Sequence, residues 1–225
     1  MSSSFCLVAA SSTAGRSVTF MAKYSMADVG SSCHIHSSLW RDGRSVMAAN
    51  SNSHELSSTF ESYLAGQLAA ARELSWCFAP YVNSYKRYQP DSWAPTAVAW
   101  GRDNRTCGFR VVGHGQAMRV ESRVPGADAN PYIAFAATIA AGLWGIEQGL
   151  ELPPAFEGNG YAATDVERIP STLVEALGLF EASEVAHNAF GADVHDHLIN
   201  TARQEWAVFN SAVTDWELMR GFERL

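Results

Sequence analysis

The chain has 225 residues, 47% of them hydrophobic and 17% charged, with a formal net charge of −7. That is enough apolar material for a proper core, in one large domain or two small ones, and it excludes a disordered chain. The acidic balance excludes a general nucleic-acid surface, which needs a net basic footprint.

Residues 1–16 are rich in Ser and Ala, with a short apolar run from Phe5 to Ala10 and no early Lys or Arg. A secretory signal needs a basic start and a longer apolar core, so this segment reads as an unstructured or adventitious N-terminus. Residues 17–225 read as one folded unit. Val18–Tyr24 alternates as a strand would, and Ser25–Ser31 reads as a loop. The stretch from Ser32 to Trp40 is next, and as a strand it places His34, His36 and Ser38 on one face and Cys33, Ile35 and Leu39 on the other. Asp42-Gly43 marks a turn.

From Ser53 to about Phe78 the apolar period becomes helical, with Ser53 as the expected cap. A polar, Pro-containing loop at 83–95 follows. Three short strands are expected at Thr96–Trp100, Gly108–Val112 and Gln116–Val124, separated by Gly-rich turns; an antiparallel meander is the simplest arrangement. Asn130-Pro131 is a strong helix start, and the helix running to about Gly149 is apolar nearly all round, hence expected to be buried. Thr138, Trp144-Gly145 and Glu147-Gln148 interrupt its apolar run, so no membrane span is expected. A Gly- and Pro-rich loop from Leu152 to Pro170 precedes helices from Ser171, from Ser183 to about Phe190, and from Asp193 or Val194 to about Arg220.

Two stretches carry chemistry. Two histidines at i and i+2 on a strand lie roughly 6–7 Å apart, suited to one metal ligand and one neighbour reaching the same bound group; ordinary satisfied histidines are the bland alternative. Arg119-Val120-Glu121-Ser122-Arg123 places Arg, Glu and Arg on one face of a second strand. Cations around a carboxylate on a half-buried face are costly unless they meet something charged. Phosphate with a divalent cation satisfies both stretches. Six arginines and one lysine lie between Lys86 and Arg123, either lining a pocket for a small anion or balancing surface acids. Cys6, Cys33, Cys77 and Cys107 have no C-x-x-C spacing and read as reduced thiols in a cytoplasmic protein. His54, His114, His187, His195 and His197 read as solvated or core-satisfied.

The ordered set H-I-H-S-S-L, N-S-Y-K-R-Y-Q-P, N-R-T-C-G-F-R, R-V-E-S-R and D-A-N-P-Y, the last leading into an apolar helix, resembles the catalytic domain of glutamine synthetase. The resemblance spans roughly residues 18–225. It implies an α+β fold, a curved antiparallel sheet packed by helices with a helical C-terminal region, and ATP-dependent ligation. Guanidino kinases share a related fold but lack this motif set. In the implied reaction the γ-carboxylate of glutamate takes a phosphoryl group, and ammonia or an organic amine then displaces phosphate, with Mg2+ or Mn2+ and ATP as cofactors.

The same resemblance implies roles for individual residues. His34 and Glu121 are metal ligands on one ion, and His36 contacts the phosphoryl and glutamate region. Arg87 holds the carboxylate of the amino-acid substrate. Arg105 and Arg110 engage nucleotide phosphates and the acyl phosphate, Arg119 the nucleotide, and Arg123 the transferring phosphate. Asn83, Ser84 and Lys86 shape the substrate loop, with Lys86 on the cofactor side.

Where the family usually has a glutamate thought to help deprotonate ammonium, this chain has Trp93. An indole takes no proton but packs against a larger apolar amine, so the expected substrate is a polyamine or other organic amine. Family members also carry an N-terminal β-grasp domain and further glutamate ligands before the block near Val18, and form ring homo-oligomers with sites between subunits. With two protein ligands for one ion, the isolated chain is expected to bind metal weakly and to turn over little. The alternatives are a non-catalytic nucleotide- or amino-acid-binding remnant and a structural subunit of such a ring.

Overall fold

The two motif strands pair directly. The structure, a computed structural model, describes residues 11–50 and 54–223. Its main sheet is built from β1 (Ile35–Ser37), β4 (Trp100–Arg102), β5 (Phe109–Val112) and β6 (Arg119–Ser122) in the order β1-β6-β5-β4. β6 runs antiparallel to both neighbours, with Glu121 opposite His36 on one side and Arg110 on the other. A small hairpin of β2 (Trp40–Arg41) and β3 (Arg44–Ser45) turns at Asp42-Gly43, both at positive φ (51° and 73°), as a tight two-residue turn requires.

Two strand expectations are corrected. β4 and β5 are parallel, not the antiparallel meander anticipated. The chain reverses twice between them. Asp103 is left-handed (φ 49°), and the Asn104 carboxamide accepts from the Thr106 N–H at 3.0 Å, curling the loop. Gly108 then passes so near the Ala97 carbonyl that a Cβ would sit 2.8 Å from it. Val18–Tyr24 forms no strand, because the Lys23 N–H and carbonyl are both taken by the Asn83 side chain at 2.9 Å.

The expected helix over 53–78 is two helices, α1 (Ser58–Ala69) and α2 (Ser75–Phe78). Ser53 lies outside the described residues. Ser57 is the cap, its hydroxyl accepting from the Phe60 N–H at 3.0 Å. Ala70, Ala71 and Leu74 stay buried through the break, so the apolar rhythm continues where the backbone does not. A short α3 (Val82–Tyr85) opens the substrate loop, and α4 (Pro131–Gln148) starts at Asn130 and ends on left-handed Gly149, as its caps predict.

The face of α4 is a further correction. Ala134, Ala137, Ala141, Gly142 and Gly145 are the buried side, while Tyr132, Phe135, Ile139 and Leu143 are exposed. Small residues let α1 and α4 approach backbone to backbone: a Cβ on Gly66 would lie 2.2 Å from the Ala141 carbonyl, and one on Gly145 would lie 2.2 Å from that of Ser62. Phe60, Leu64, Phe109, Val111, Val120 and Val124 share the core between these helices and the sheet, each buried apolar side chain contributing about 1.5–3 kcal/mol.

The C-terminal region is helical: α5 (Leu173–Glu181), α6 (Glu184–Phe190), α7 (Ala192–Ser211) and α8 (Asp215–Glu223). Thr172, not Ser171, caps α5. The last helix, expected to run unbroken to Arg220, is cut at Thr214. Thr214 and Glu217 form a reciprocal cap, the Thr214 N–H donating to the Glu217 carboxylate at 2.7 Å and its hydroxyl accepting from the Glu217 N–H at 3.3 Å. Val213 is consequently exposed. Among the described residues no helix is long and apolar enough to cross a membrane. Cys33, Cys77 and Cys107 are free thiols, and Cys6 lies outside the described residues.

Candidate active site

Sheet register makes Glu121 the centre of a charged row. It is 4% exposed and meets basic side chains from three directions. His34 Nδ1 lies 3.0 Å from Oε1, Arg123 Nη1 donates to the same oxygen at 3.1 Å, and Arg110 Nη1 donates to Oε2 at 3.0 Å. His36 Nε2 lies 3.8 Å from Oε1. Around the rim, Arg119 Nε faces His36 Nδ1 at 3.1 Å, and Arg110 Nη2 donates to Asp103 at 2.6 Å.

These neighbours set protonation. Burial pushes the Glu121 carboxyl up, but the Arg110 hydrogen bond and the charges of Arg123 and His34 outweigh it, so the group sits below the usual carboxylate range. Burial, helped by Arg123, pulls His34 below the usual imidazole value despite the pull of Glu121 the other way. His36 is lowered by burial too, against the pull of Glu121, with Arg119 and Arg110 adding to the lowering. A neutral imidazole beside a carboxylate is the donor state a metal needs.

The remaining expected residues divide. Arg87 is buried at 2% exposure, donating to the Val124 carbonyl with its guanidinium over the Tyr88 ring. Its stem crosses Gly30, where a Cβ would sit 2.5 Å from Arg87 Cγ. Arg87 lies within electrostatic reach of His34, so it belongs to the cluster. Lys86, one residue earlier, does not. It is exposed and lines a cleft of about 540 Å3 with Val82, Leu173 and Trp206, because successive residues at the end of α3 point apart. Arg105 is exposed on the 103–108 loop. Trp93 is 61% exposed and left-handed (φ 61°), with its carbonyl 3.5 Å from Arg123 Nη2. Asn83 binds Lys23. Ser84 donates to Asp128 Oδ2 at 2.7 Å.

Two residues escaped the sequence reading. Asp128, inside the D-A-N-P-Y block, ties the substrate loop to the segment after β6; burial raises its carboxyl, partly offset by the Ser84 hydrogen bond. Its position beside Asn130-Pro131 was visible, but its partner was not. Tyr161, in the Gly- and Pro-rich connection, has a solvent-shielded hydroxyl. The Trp93 backbone is its hydrogen-bonding neighbour, and Arg123, Asp91 and Arg87 lie close by. No sequence signal marks it.

His34 and Glu121 fit a hard divalent cation in kind, one imidazole nitrogen and one carboxylate oxygen. His34 Nε2 is buried without a partner. Among the described residues no group of three or more His, Cys, Asp or Glu can hold a metal. A cation of the magnesium type commonly takes one or two protein groups and completes its shell with water and phosphate oxygens, which suits a site walled by guanidinium groups.

The family model for the glutamine synthetase catalytic domain matches residues 6–221. The chain belongs to the glutamine synthetase family. It is 56% identical over 212 residues to the γ-glutamylethanolamide synthetase GlnA4 of Streptomyces coelicolor, covering 94% of this chain and 45% of that one. It is 41% identical over 210 residues to a glutamate–isopropylamine ligase of a Pseudomonas species, covering 92% and 46%. Among solved structures of the glutamine synthetase fold, a GmaS/ADP complex superposes with a TM-score of 0.88 at 30% identity, over 98% of this chain and 52% of that one. The chain thus spans about half the length of these relatives.

Proposed function

We propose that this chain is the part of a glutamine-synthetase-family ligase that binds one divalent cation, the nucleotide phosphates and glutamate, and that the product is a γ-glutamyl amide of an organic amine. The observation that carries this reading is Glu121 in register between His36 and Arg110, with His34 and Arg123 on the same carboxylate. In the proposed reaction a γ-carboxylate oxygen of glutamate bonds to the γ-phosphorus of ATP as ADP leaves. The amine nitrogen then bonds to the γ-carbon, phosphate leaves and the amine gives up a proton. The bound cation would neutralise phosphate oxygens.

The chain's residues supply the rest. Arg110, Arg119 and Arg123 offer forked donors to oxygens that gain charge. Arg123 is held by Glu121 on one side and faces the Trp93 carbonyl on the other, which fixes where its remaining donors aim. Arg87, buried at the base of the substrate loop with its guanidinium on the Val124 carbonyl, would hold the substrate carboxylate. Trp93 offers an indole face and no proton acceptor, which favours an amine with a carbon chain over ammonia. The two amine ligases among the relatives support the same choice.

A second reading, a binding unit without turnover, is favoured by the two-donor metal set among the described residues. Calorimetry with ATP in the presence and absence of Mg2+, followed by ADP release with glutamate and either ammonia, ethanolamine, isopropylamine or putrescine, separates the two. The ligase reading expects Mg-dependent binding and greater release with the organic amines. Binding without release supports the second reading. Equal release with ammonia removes the amine assignment, and no binding removes both.

A further inference from the structure

The connection between α4 and α5 is docked as firmly as a strand. Ala97 and Arg168 form an isolated bridge, Asn104 Nδ2 donates to the Gly158 carbonyl at 3.0 Å, and the Gly160 N–H donates to Thr106 Oγ1 at 2.7 Å. Gly160 is so close to Thr106 that a Cβ would lie 2.4 Å from its carbonyl oxygen. Arg168 Nη2 donates to the Tyr161 carbonyl at 3.1 Å. The backbone of Tyr161 is therefore held on both sides, and its ring has a defined direction.

That direction leads to the Trp93 turn. The Tyr161 hydroxyl is sealed from solvent and has the Trp93 backbone as its hydrogen-bonding neighbour, with Arg123, Asp91 and Arg87 close by. A buried hydroxyl anchored on a backbone group fixes the position of that backbone. The turn itself is strained: Asp91 and Trp93 both have positive φ (53° and 61°), a conformation costly for a bulky residue and kept only where surroundings impose it. Ser92 Oγ, donating to the Gln89 carbonyl at 2.7 Å, is one such restraint. The Trp93 carbonyl facing Arg123 is another.

We infer that Tyr161 is the positioning residue of the amine side of the site: it holds the Trp93 turn against Arg123 so that the indole meets the carbon chain of a primary organic amine. This rests on the ligase reading, and it names a determinant of amine choice outside the substrate loop.

The test uses the full chain labelled with 5-fluorotryptophan, the Trp93 resonance being assigned with Trp93→Phe. Ethanolamine and ammonium chloride are titrated separately in the presence of glutamate, Mg2+ and ADP, for the unmodified chain and for Tyr161→Phe and Tyr161→Leu. Ethanolamine, not ammonium, is expected to move the Trp93 line. Tyr161→Phe should raise the midpoint roughly tenfold, an ordinary loss for one hydrogen-bonding group. Tyr161→Leu should shift or broaden the Trp93 line before any amine is added, with the other indole lines unchanged. A Trp93 line indifferent to both substitutions overturns the inference, as does an equal response to ammonium. If the line behaves as expected but no amide forms in the turnover assay, the ligase reading fails while the role of Tyr161 in placing Trp93 stands.

Discussion

His34 Nδ1 stands 3.0 Å from Glu121 Oε1, one residue entering the first strand and the other near the end of the last. Both motif stretches acquire their meaning from this contact, since β1 and β6 are hydrogen-bonded neighbours.

Removing the carboxylate should unsettle the fold as well as the site. Glu121 is the partner of two guanidiniums, Arg123 buried at 5% exposure and Arg110 half-buried. Breaking such a pair by deleting one member typically costs about 3–5 kcal/mol, because the other charge stays buried and unpaired. Urea unfolding of Glu121→Ala should show a loss of this order. A change under about 1 kcal/mol would mean that the row is solvated.

Acid should weaken the protein in two stages. Burial holds His34 and His36 below the usual imidazole value, so as pH falls the unfolded chain takes up these protons first. Stability from this source is complete above about pH 6.5 and declines as pH drops below it. Glu121 is depressed despite its burial, so its contribution is present above the ordinary carboxylate value of about 4.3 and disappears as pH falls through its lower folded value. The melting temperature should fall on acidification from pH 7.5, less steeply between pH 7 and 5.5 in His34→Gln. A melting temperature that rises over that window would contradict the assignment.

The close contact between α1 and α4 gives a prediction away from the charges. A methyl at Gly145 meets the Ser62 carbonyl and the Gly66 backbone, not a flexible side chain that can step aside. Gly145→Ala should therefore destabilise by about 1–3 kcal/mol, the usual cost of overpacking, although alanine is the better helix former. Thermal unfolding checks it, and unchanged or increased stability would show that the helices can separate freely.

How much of this could be read beforehand depended on whether the signal was local. Asn130-Pro131 and Gly149 marked both ends of α4 because caps are written in adjacent residues. The Thr214–Glu217 cap was equally local, a T-x-x-E pattern inside the helix expected to run to Arg220. What required the third dimension stayed hidden. The parallel pairing of β4 depends on a loop of six residues doubling back, and the exposed face of α4 follows from Gly66 seeking a backbone partner. Lys86 and Arg87 are neighbours in the N-S-Y-K-R-Y-Q-P motif yet point to different surfaces. Asp128 and Tyr161 gain importance only from what they meet.

The convergence of one imidazole and one carboxylate on a single cation is tested most directly by titrating Mn2+ into the chain and following the free ion by electron paramagnetic resonance. The unmodified chain should show one weak site, tightened by ATP as phosphate oxygens fill the shell, and both His34→Ala and Glu121→Gln should abolish it. Binding that survives both substitutions unchanged would place the ion elsewhere and contradict the account.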